Sequence, residues 1–347
     1  MEQLLKAIKL NCHISDARYW GYFSICGLLM RMRDLYRSEN GLKPWHPISK
    51  EKVALWISER EALWKELEGK SFTPLPIDEE LYSPFDVEGI NHHLNPSGYV
   101  YGAGYGLYMK PTFFIAEINS TKDISDYTVY ISKKELARDL FASSAMLQGR
   151  CIFIRLEPLR ALLWEKLTSL RSGQKPHIEK AFLRFGLSPS NTQAIDEDTL
   201  EIRIDEMVFK YSEMILYHEL AEAMEDIPDW NELIVHLKDR NLELICRALK
   251  DLIADTSEYG PIKRALEKND LDILRLYINF MEGYRTVLYP SILEISDTED
   301  KARIEDTRIR AYRILNSYRE NILNLYLKGR ADEIKRFLKE IIGKSNS

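Results

Sequence analysis

Apolar side chains recur at helical spacing along most of the chain. One such segment runs from about Ser15 to Ser38, and a second from Ser49 to about Glu68. From Pro158 onward the helical period is almost unbroken, and it predicts helices at 158–171, 176–186, 202–226, 230–238, 241–257, 270–288, 298–328 and 331–342. The pattern therefore predicts a mainly α protein with a helical, bundle-like architecture.

The period changes between about residues 98 and 156. Aromatic and β-branched runs bounded by glycine or polar residues predict a β-hairpin within Gly98–Ile118. The same pattern predicts two further short strands, at Tyr127–Ile131 and Cys151–Leu156. Ser132 and Glu135 have the spacing of a capping box, which predicts a helix from Lys133 to Gln148. We therefore expect a small β-hairpin or sheet element around 98–156 within a helical protein.

One polar stretch, Ser188–Thr199, is the best candidate for a domain boundary. It would separate a mixed helical part with the small β element, 1–190, from an all-helical part, 191–347. A chain of 347 residues is equally compatible with one large domain, because such a domain also contains polar loops.

Composition excludes several classes of protein. Hydrophobic residues make up 45% of the chain and aromatic residues 11%, which excludes fibrous and disordered classes but no class of enzyme. The net charge of −6 is uneven, since residues 301–347 carry 12 basic and 6 acidic side chains. Acids are interspersed among these bases, which favours a solvated helical surface, and we do not expect nucleic acid as a partner. The sequence leaves open whether the chain forms a homo-oligomer or binds another protein.

The expected compartment is the cytoplasm. The first residues show neither a long apolar stretch nor a small-residue cleavage site, so no secretory signal is predicted. The longest apolar-looking stretch, Tyr19–Met30, is much shorter than the roughly 20 residues of a membrane span. The 4 cysteines form no C-x-x-C pair, which is typical of reduced, packed thiols.

One predicted helix, 202–226, carries titratable groups on an apolar stripe. Met214 and His218 project to the same side, and Glu222, four residues after the histidine, projects there too. Because an unpaired carboxylate is costly to remove from water, a carboxylate on such a stripe needs a partner.

Three interpretations of this segment are open. In the first, His218, Glu222 and Asp255 bind a divalent metal ion and Glu219 acts as a catalytic base. Glu219 would take the base position of a zincin-type helix, although Glu222 replaces the second histidine of that motif. In the second, a hydrogen-bonded His–Glu or Arg–Glu pair only stabilises the core. In the third, the acids form an exposed helix end.

Two functional hypotheses follow. The first is a metal-binding protein, acting as a metal-assisted hydrolase, with a divalent metal ion as its cofactor. The alternative is a non-catalytic regulatory or scaffold protein that acts through its helical surfaces.

Four strings in the sequence resemble an uncharacterised bacterial protein family of unknown function. They are NCHISDA at Asn11–Ala17, ELARDL at Glu135–Leu140, YHELAE at Tyr217–Glu222 and KDLIADT at Lys250–Thr256. The resemblance extends over most of the chain and implies a bacterial cytosolic protein. It supplies no catalytic residues, because the family has no assigned activity.

Overall fold

A computed structural model describes residues 1–106, 109–170, 176–192, 194–225 and 227–345. The chain folds into two compact units, an N-terminal unit, Met1–Lys166, and a C-terminal unit, Leu167–Ser347. The polar stretch Ser188–Thr199 thus lies inside the C-terminal unit.

The N-terminal unit combines helices with two sheets. Its helices are α1 (Glu2–Tyr19), α2 (Ile25–Glu39), α3 (Lys50–Leu67), α4 (Val87–Leu94) and the start of α5 (Leu156–Ser169). Its strands are β1 (Leu75–Ile77), β2 (Glu80–Tyr82), β3 (Tyr99–Tyr105), β4 (Pro111–Ile124), β5 (Tyr127–Arg138), β6 (Ala145–Gln148) and β7 (Cys151–Arg155).

The larger sheet has the strand order β3-β4-β5-β7-β6. All neighbours are antiparallel except β5 and β7, which run parallel. The sheet is curled, so that Gly104 on β3 lies close to the side chains of Met146 and Gln148 on β6. The expectation of a helical bundle with a small β element is therefore wrong, and so is the all-α class. The N-terminal unit is built on a five-stranded mixed sheet, with a second, two-stranded sheet beside it.

The largest local error is the helix predicted at Lys133–Gln148. The chain instead continues as strand through Arg138, and Glu135 is buried in an ion pair of 2.6 Å with Arg155. The capping signal is local, whereas β5 is held between β4 and β7 by pairing that the capping pattern does not contain. The helix predicted from Ser15 to Ser38 is also two helices, because Ser24 caps the start of α2.

A buried lysine lies among the N-terminal elements. Lys110 is 3% exposed, and its Nζ lies 2.9 Å from Asp16 on α1 and 3.1 Å from Asp139 after β5. Burial lowers the pKa of Lys110, but the charges of Asp139 and Asp16 raise it more, so the ammonium stays charged. The carboxylates also accept hydrogen bonds from backbone N–H groups, Asp16 from Leu140 and Asp139 from Phe113. The triad therefore joins α1 to the start of β4 and the end of β5, which lie side by side at one end of this antiparallel pair.

The outer edge of β3 is occupied by one side chain of α4. Asn91 accepts a hydrogen bond of 2.7 Å from the backbone N–H of Tyr101 and donates one of 2.8 Å to the carbonyl of the same residue. On its other side β3 pairs with β4. The buried amide thus forms the two hydrogen bonds that a further strand would form at this position.

A glycine in β3 is required by a close approach of an aromatic ring. A Cβ at Gly102 would lie 2.1 Å from the ring of Phe114, which is fully buried between Phe153 and Arg155. We expect Gly102→Ala to lower the free energy of unfolding by about 1–3 kcal/mol, because the packed ring cannot move freely. Urea unfolding followed by tryptophan fluorescence measures this. Gly21→Ala is the control, since nothing lies within 4 Å of that position, and equal stability of the two variants would contradict the prediction.

In the described residues of the C-terminal unit, all regular secondary structure is helical. This unit contains the rest of α5, then α6 (Pro176–Leu183), α7 (Glu197–Met224), α8 (Trp230–Leu237), α9 (Arg240–Thr256), α10 (Pro261–Lys268), α11 (Leu271–Asn279), α12 (Tyr284–Leu288), α13 (Lys301–Leu327) and α14 (Ala331–Ser345). Helix α9 is central, since it packs against α7, α12 and α13. None of the helices in the described ranges combines the length and the hydropathy that a membrane-spanning segment requires.

Candidate metal centre

Helices α7 and α9 bring the candidate residues together. Asp196 caps the start of α7 by accepting a hydrogen bond from the N–H of Thr199, and Asp239 caps α9 in the same way. The helices pack on their apolar faces, with Met207 and Met214 of α7 and Leu252 of α9 almost fully buried. Polar residues on the turns of α7 and α9 that carry these apolar side chains therefore lie next to one another inside the C-terminal unit.

His218 is held from one side by two elements. Its Nδ1 lies 2.7 Å from Oδ1 of Asp255, which is fully buried. Tyr277 on α11 donates a hydrogen bond of 2.5 Å to the same carboxylate oxygen. The other oxygen, Oδ2, has no hydrogen-bond partner among the described residues and lies 3.9 Å from the guanidinium of Arg285. This arrangement fixes the imidazole ring and directs Nε2 away from Asp255.

The free side of the imidazole faces two carboxylates of α7. Nε2 of His218 lies 3.8 Å from Oε2 of Glu222, whose other oxygen pairs with Lys250 at 2.5 Å. Three ligand atoms, one each from His218, Glu219 and Glu222, lie within 4.8 Å of one another. The carboxylate of Glu219 has no ion pair or hydrogen bond to any residue in the described parts of the chain.

The electrostatics show a surplus of carboxylates. Burial lowers the pKa of His218, but the charge and hydrogen bond of Asp255 raise it more, to about 9. Burial, with the charge of Glu222 adding to it, raises the pKa of Glu219 to about 8. Both shifts favour the protonated form, so protons on His218 and Glu219 supply positive charge that the neighbouring side chains do not.

A second ion pair closes the far side of the cluster. Arg285 on α12 donates two hydrogen bonds, of 3.0 and 2.6 Å, to Oδ2 of Asp251. Burial raises the pKa of Asp251, but Arg285 lowers it more, so this carboxylate is ionised. The acids Glu219, Glu222, Asp251 and Asp255 thus outnumber the permanent cations Lys250 and Arg285 by two, which is the charge of a divalent ion.

The structure therefore brings all four candidate residues, His218, Glu219, Glu222 and Asp255, into one cluster. Sequence reasoning missed Tyr277, Arg285 and Lys250. Tyr277 and Arg285 belong to helices whose contact with α9 leaves no trace in local spacing. Lys250 had a signal, because it lies on the same predicted helix as Asp255, but nothing in the sequence paired it with Glu222.

Together, the fold and the cluster define a two-unit protein, with a mixed sheet in one unit and a buried histidine–carboxylate centre in the other. The chain belongs to a family of unknown function, DUF6866. The N-terminal domain of this family matches residues 3–155 and its C-terminal domain matches residues 160–344. Neither the curated proteins nor the solved structures contain a match. The expected resemblance to an uncharacterised family is thus confirmed, and the family leaves the function unknown.

Proposed function

We propose that the C-terminal unit binds one divalent metal ion through His218, Glu219 and Glu222. The observation that carries the proposal is the convergence of three ligand atoms within 4.8 Å around a histidine whose second nitrogen is already held. Two ligands of a tetrahedral ion lie about 3.4 Å apart. The separation of 3.8 Å between His218 and Glu222 therefore closes with a small rotation of the side chains.

The roles that we propose for Asp255 and Glu219 differ from those expected from the sequence, whereas His218 and Glu222 stay metal ligands. We propose that Asp255 orients the histidine and does not bind the metal itself, because its Oδ1 already accepts hydrogen bonds from both His218 and Tyr277. Metal-binding histidines commonly donate their other N–H to a carboxylate, which fixes the ring and strengthens it as a ligand. Glu219 then becomes the third ligand, since its carboxylate has no other partner in the described structure.

The donor set indicates the class of ion and of reaction. One imidazole nitrogen with two carboxylate oxygens suits a first-row ion such as Zn²⁺ or Mn²⁺. Such an ion, when bound, lowers the pKa of a coordinated water towards neutrality. We therefore propose metal-assisted hydrolysis as the reaction class. We also propose that the protein works in the bacterial cytosol, because its four cysteines are all free thiols.

Metal analysis of the full-length protein tests the site. After dialysis against Zn²⁺ or Mn²⁺ and gel filtration, mass spectrometry of the metal content should give about one ion per chain. His218→Ala and Glu222→Gln should each lose it, because a site with three protein ligands tolerates the loss of none. Controls are His236→Ala, an exposed histidine on α8, and Glu213→Gln, whose partner is Lys268 on the surface.

Two results would overturn the metal site. One is wild-type protein that takes up neither ion, with the same melting temperature with and without a chelator. The other is retention of metal in both site variants. Either result would mean that the cluster is a structural ion network. The non-catalytic regulatory or scaffold function would then replace the proposed metal-assisted hydrolase.

A further inference from the structure

The N-terminal unit contains a cavity of about 370 Å³ that the metal centre does not use. Residues of α2, the end of β5, the segment after it and the start of α5 line the cavity. Apolar walls come from Met30, Leu42 and Leu162, and Arg31, Arg37 and Arg138 place three guanidinium groups among them. Small-molecule sites commonly combine such a size with apolar walls and a few polar groups.

The guanidinium of Arg31 is held by aromatic rings. It lies over the rings of Phe23, at 4.8 Å, and Phe141, at 5.8 Å, and donates to the carbonyl of Leu140 at 3.4 Å. Within the described residues no carboxylate comes within 4.0 Å of it. Burial lowers the pKa of Arg31 and the charge of Arg138 lowers it further, although the carboxylates of Asp139, Asp34 and Glu165 oppose this from beyond ion-pair distance. The group is thus held in place by two rings and has no directly paired carboxylate among the described residues.

Arg138 shares its carboxylate partner with another arginine. Its side chain is 5% exposed, and its Nε lies 3.3 Å from Glu135 without forming a hydrogen bond there. Glu135 is also the partner of Arg155, at the shorter distance of 2.6 Å. One buried carboxylate therefore serves two buried guanidinium groups. Nη1 of Arg138 donates to the backbone carbonyl of Asp139 at 3.3 Å, whereas its buried Nε has no hydrogen-bond partner among the described residues.

Three acids line the same cavity, Asp34, Glu157 and Glu165, and within the described residues none of them pairs with Arg31 or Arg138 within 4.0 Å. Glu157 accepts hydrogen bonds from Ser38, at 2.6 Å, and from the backbone N–H of Glu135, at 2.8 Å. Asp34 pairs with Arg37 at 3.5 Å, and its charge also acts on Arg138 and Arg31 without a direct ion pair to either. An anion between Arg31 and Arg138 would offset the repulsion between two desolvated cations.

We propose that this cavity binds a small organic anion, whose carboxylate or phosphate lies between Arg31 and Arg138 and whose apolar part lies against Met30 and Leu162. Planar guanidinium groups recognise both kinds of anion through paired N–H donors. The volume accommodates a group of about the size of a bicyclic ring, and the apolar wall gives an organic anion an advantage over inorganic phosphate. The site lies within the N-terminal unit and does not depend on the metal centre.

Calorimetric titration of the full-length protein tests the proposal with four probes: 1-naphthoate, 1-naphthyl phosphate, neutral 1-naphthol and inorganic phosphate. We expect one organic anion to bind per chain, at least tenfold more tightly than both 1-naphthol and inorganic phosphate. The relative affinities of naphthoate and naphthyl phosphate then show whether a carboxylate or a phosphate is the preferred headgroup.

Variants separate this cavity from other surfaces. Arg31→Met, which keeps most of the length of the side chain, should weaken binding at least tenfold, and Ala161→Trp, which fills the cavity, should abolish it. Arg33→Met is the matched control, because Arg33 is exposed on the same helix outside the cavity, and it should change binding less than twofold. Binding should persist in His218→Ala, so that failure of the metal site stays distinguishable.

Three outcomes would overturn the proposal: no saturable binding of either naphthyl anion, equal weakening by Arg31→Met and Arg33→Met, or inorganic phosphate binding as tightly as naphthyl phosphate. Melting curves of each variant establish that it is folded before titration. If Ala161→Trp does not fold, Arg31→Met against Arg33→Met decides the matter alone.

Discussion

Lys110→Met is expected to lower the free energy of unfolding of the N-terminal unit by about 3–5 kcal/mol, the cost of removing one partner from a buried ion network. The variant leaves Asp16 and Asp139, both fully buried, without the cation that lies 2.9 and 3.1 Å from them. Methionine fills similar space, so the loss of charge dominates over the loss of volume. Because domains are stable by only about 5–15 kcal/mol, the effect is large.

The loss should depend on pH in a defined direction. Burial already raises the pKa of Asp16 to about 6, although Lys110 opposes this. Without the lysine the pKa rises further, so the folded state binds more protons than the unfolded state over a wider range of pH. Stability then falls as pH rises through that range, and the defect should be greater at pH 8 than at pH 5.

Guanidinium unfolding at both pH values measures these effects. Lys122→Met, at an exposed position of β4, is the control and should change stability by less than about 0.5 kcal/mol. Adding Asp16→Asn to Lys110→Met should restore part of the loss, because one of the two unpaired carboxylates is then gone. A Lys110→Met protein as stable as the control, or a double variant less stable than the single one, would contradict this account.

Asp255→Asn is expected to weaken metal binding by about tenfold to a hundredfold, the usual cost of losing a partner that orients a ligating histidine. Asparagine keeps an oxygen for Tyr277 and for Nδ1 of His218, so the ring can stay in place while the charge that strengthens it disappears. In the metal-free protein, stability should fall by about 1.5–3 kcal/mol, since hydrogen bonds to a buried charge become neutral ones.

Competition with a chelating dye measures the affinity, and thermal unfolding of metal-free protein measures the stability. Asp198→Asn, at an exposed position in the first turn of α7, should leave both unchanged within error. Tyr277→Phe separates the two effects: it should lower the stability by about 1.5–3 kcal/mol, because a hydrogen bond to a buried charge is lost, and change metal affinity much less than Asp255→Asn does. Equal affinity of Asp255→Asn and wild type would remove Asp255 from the metal centre.

The helical elements were largely predictable, because their signals are local. The segment 49–68 is α3 with Ser49 as its cap, and the segments 202–226 and 241–257 are α7 and α9 within a few residues. The sheet was not predictable to the same degree. Strand β5 carries a capping-box pattern at Ser132 and Glu135, and only its pairing with β4 and β7 shows that it is extended.

The candidate site was predictable in part for the same reason. His218 and Glu222 share a helix face, so four-residue spacing finds them. The helical period puts Asp255 near the apolar edge of α9, and the structure shows it fully buried against His218. Tyr277 and Arg285 were out of reach, because their contacts with α9 depend on packing between separate helices.

The amide of Asn91 has a consequence for association between copies of the protein. An edge strand with free N–H and C=O groups is a template on which another chain can add a strand and begin aggregation. At Tyr101 those groups of β3 are already bonded to Asn91, while the opposite edge of the sheet, β6, is only four residues long and curls towards β3. Both edge strands of the sheet are thus poor sites for the addition of a strand from another chain, which protects an aromatic, β-rich unit from polymerising through its edges.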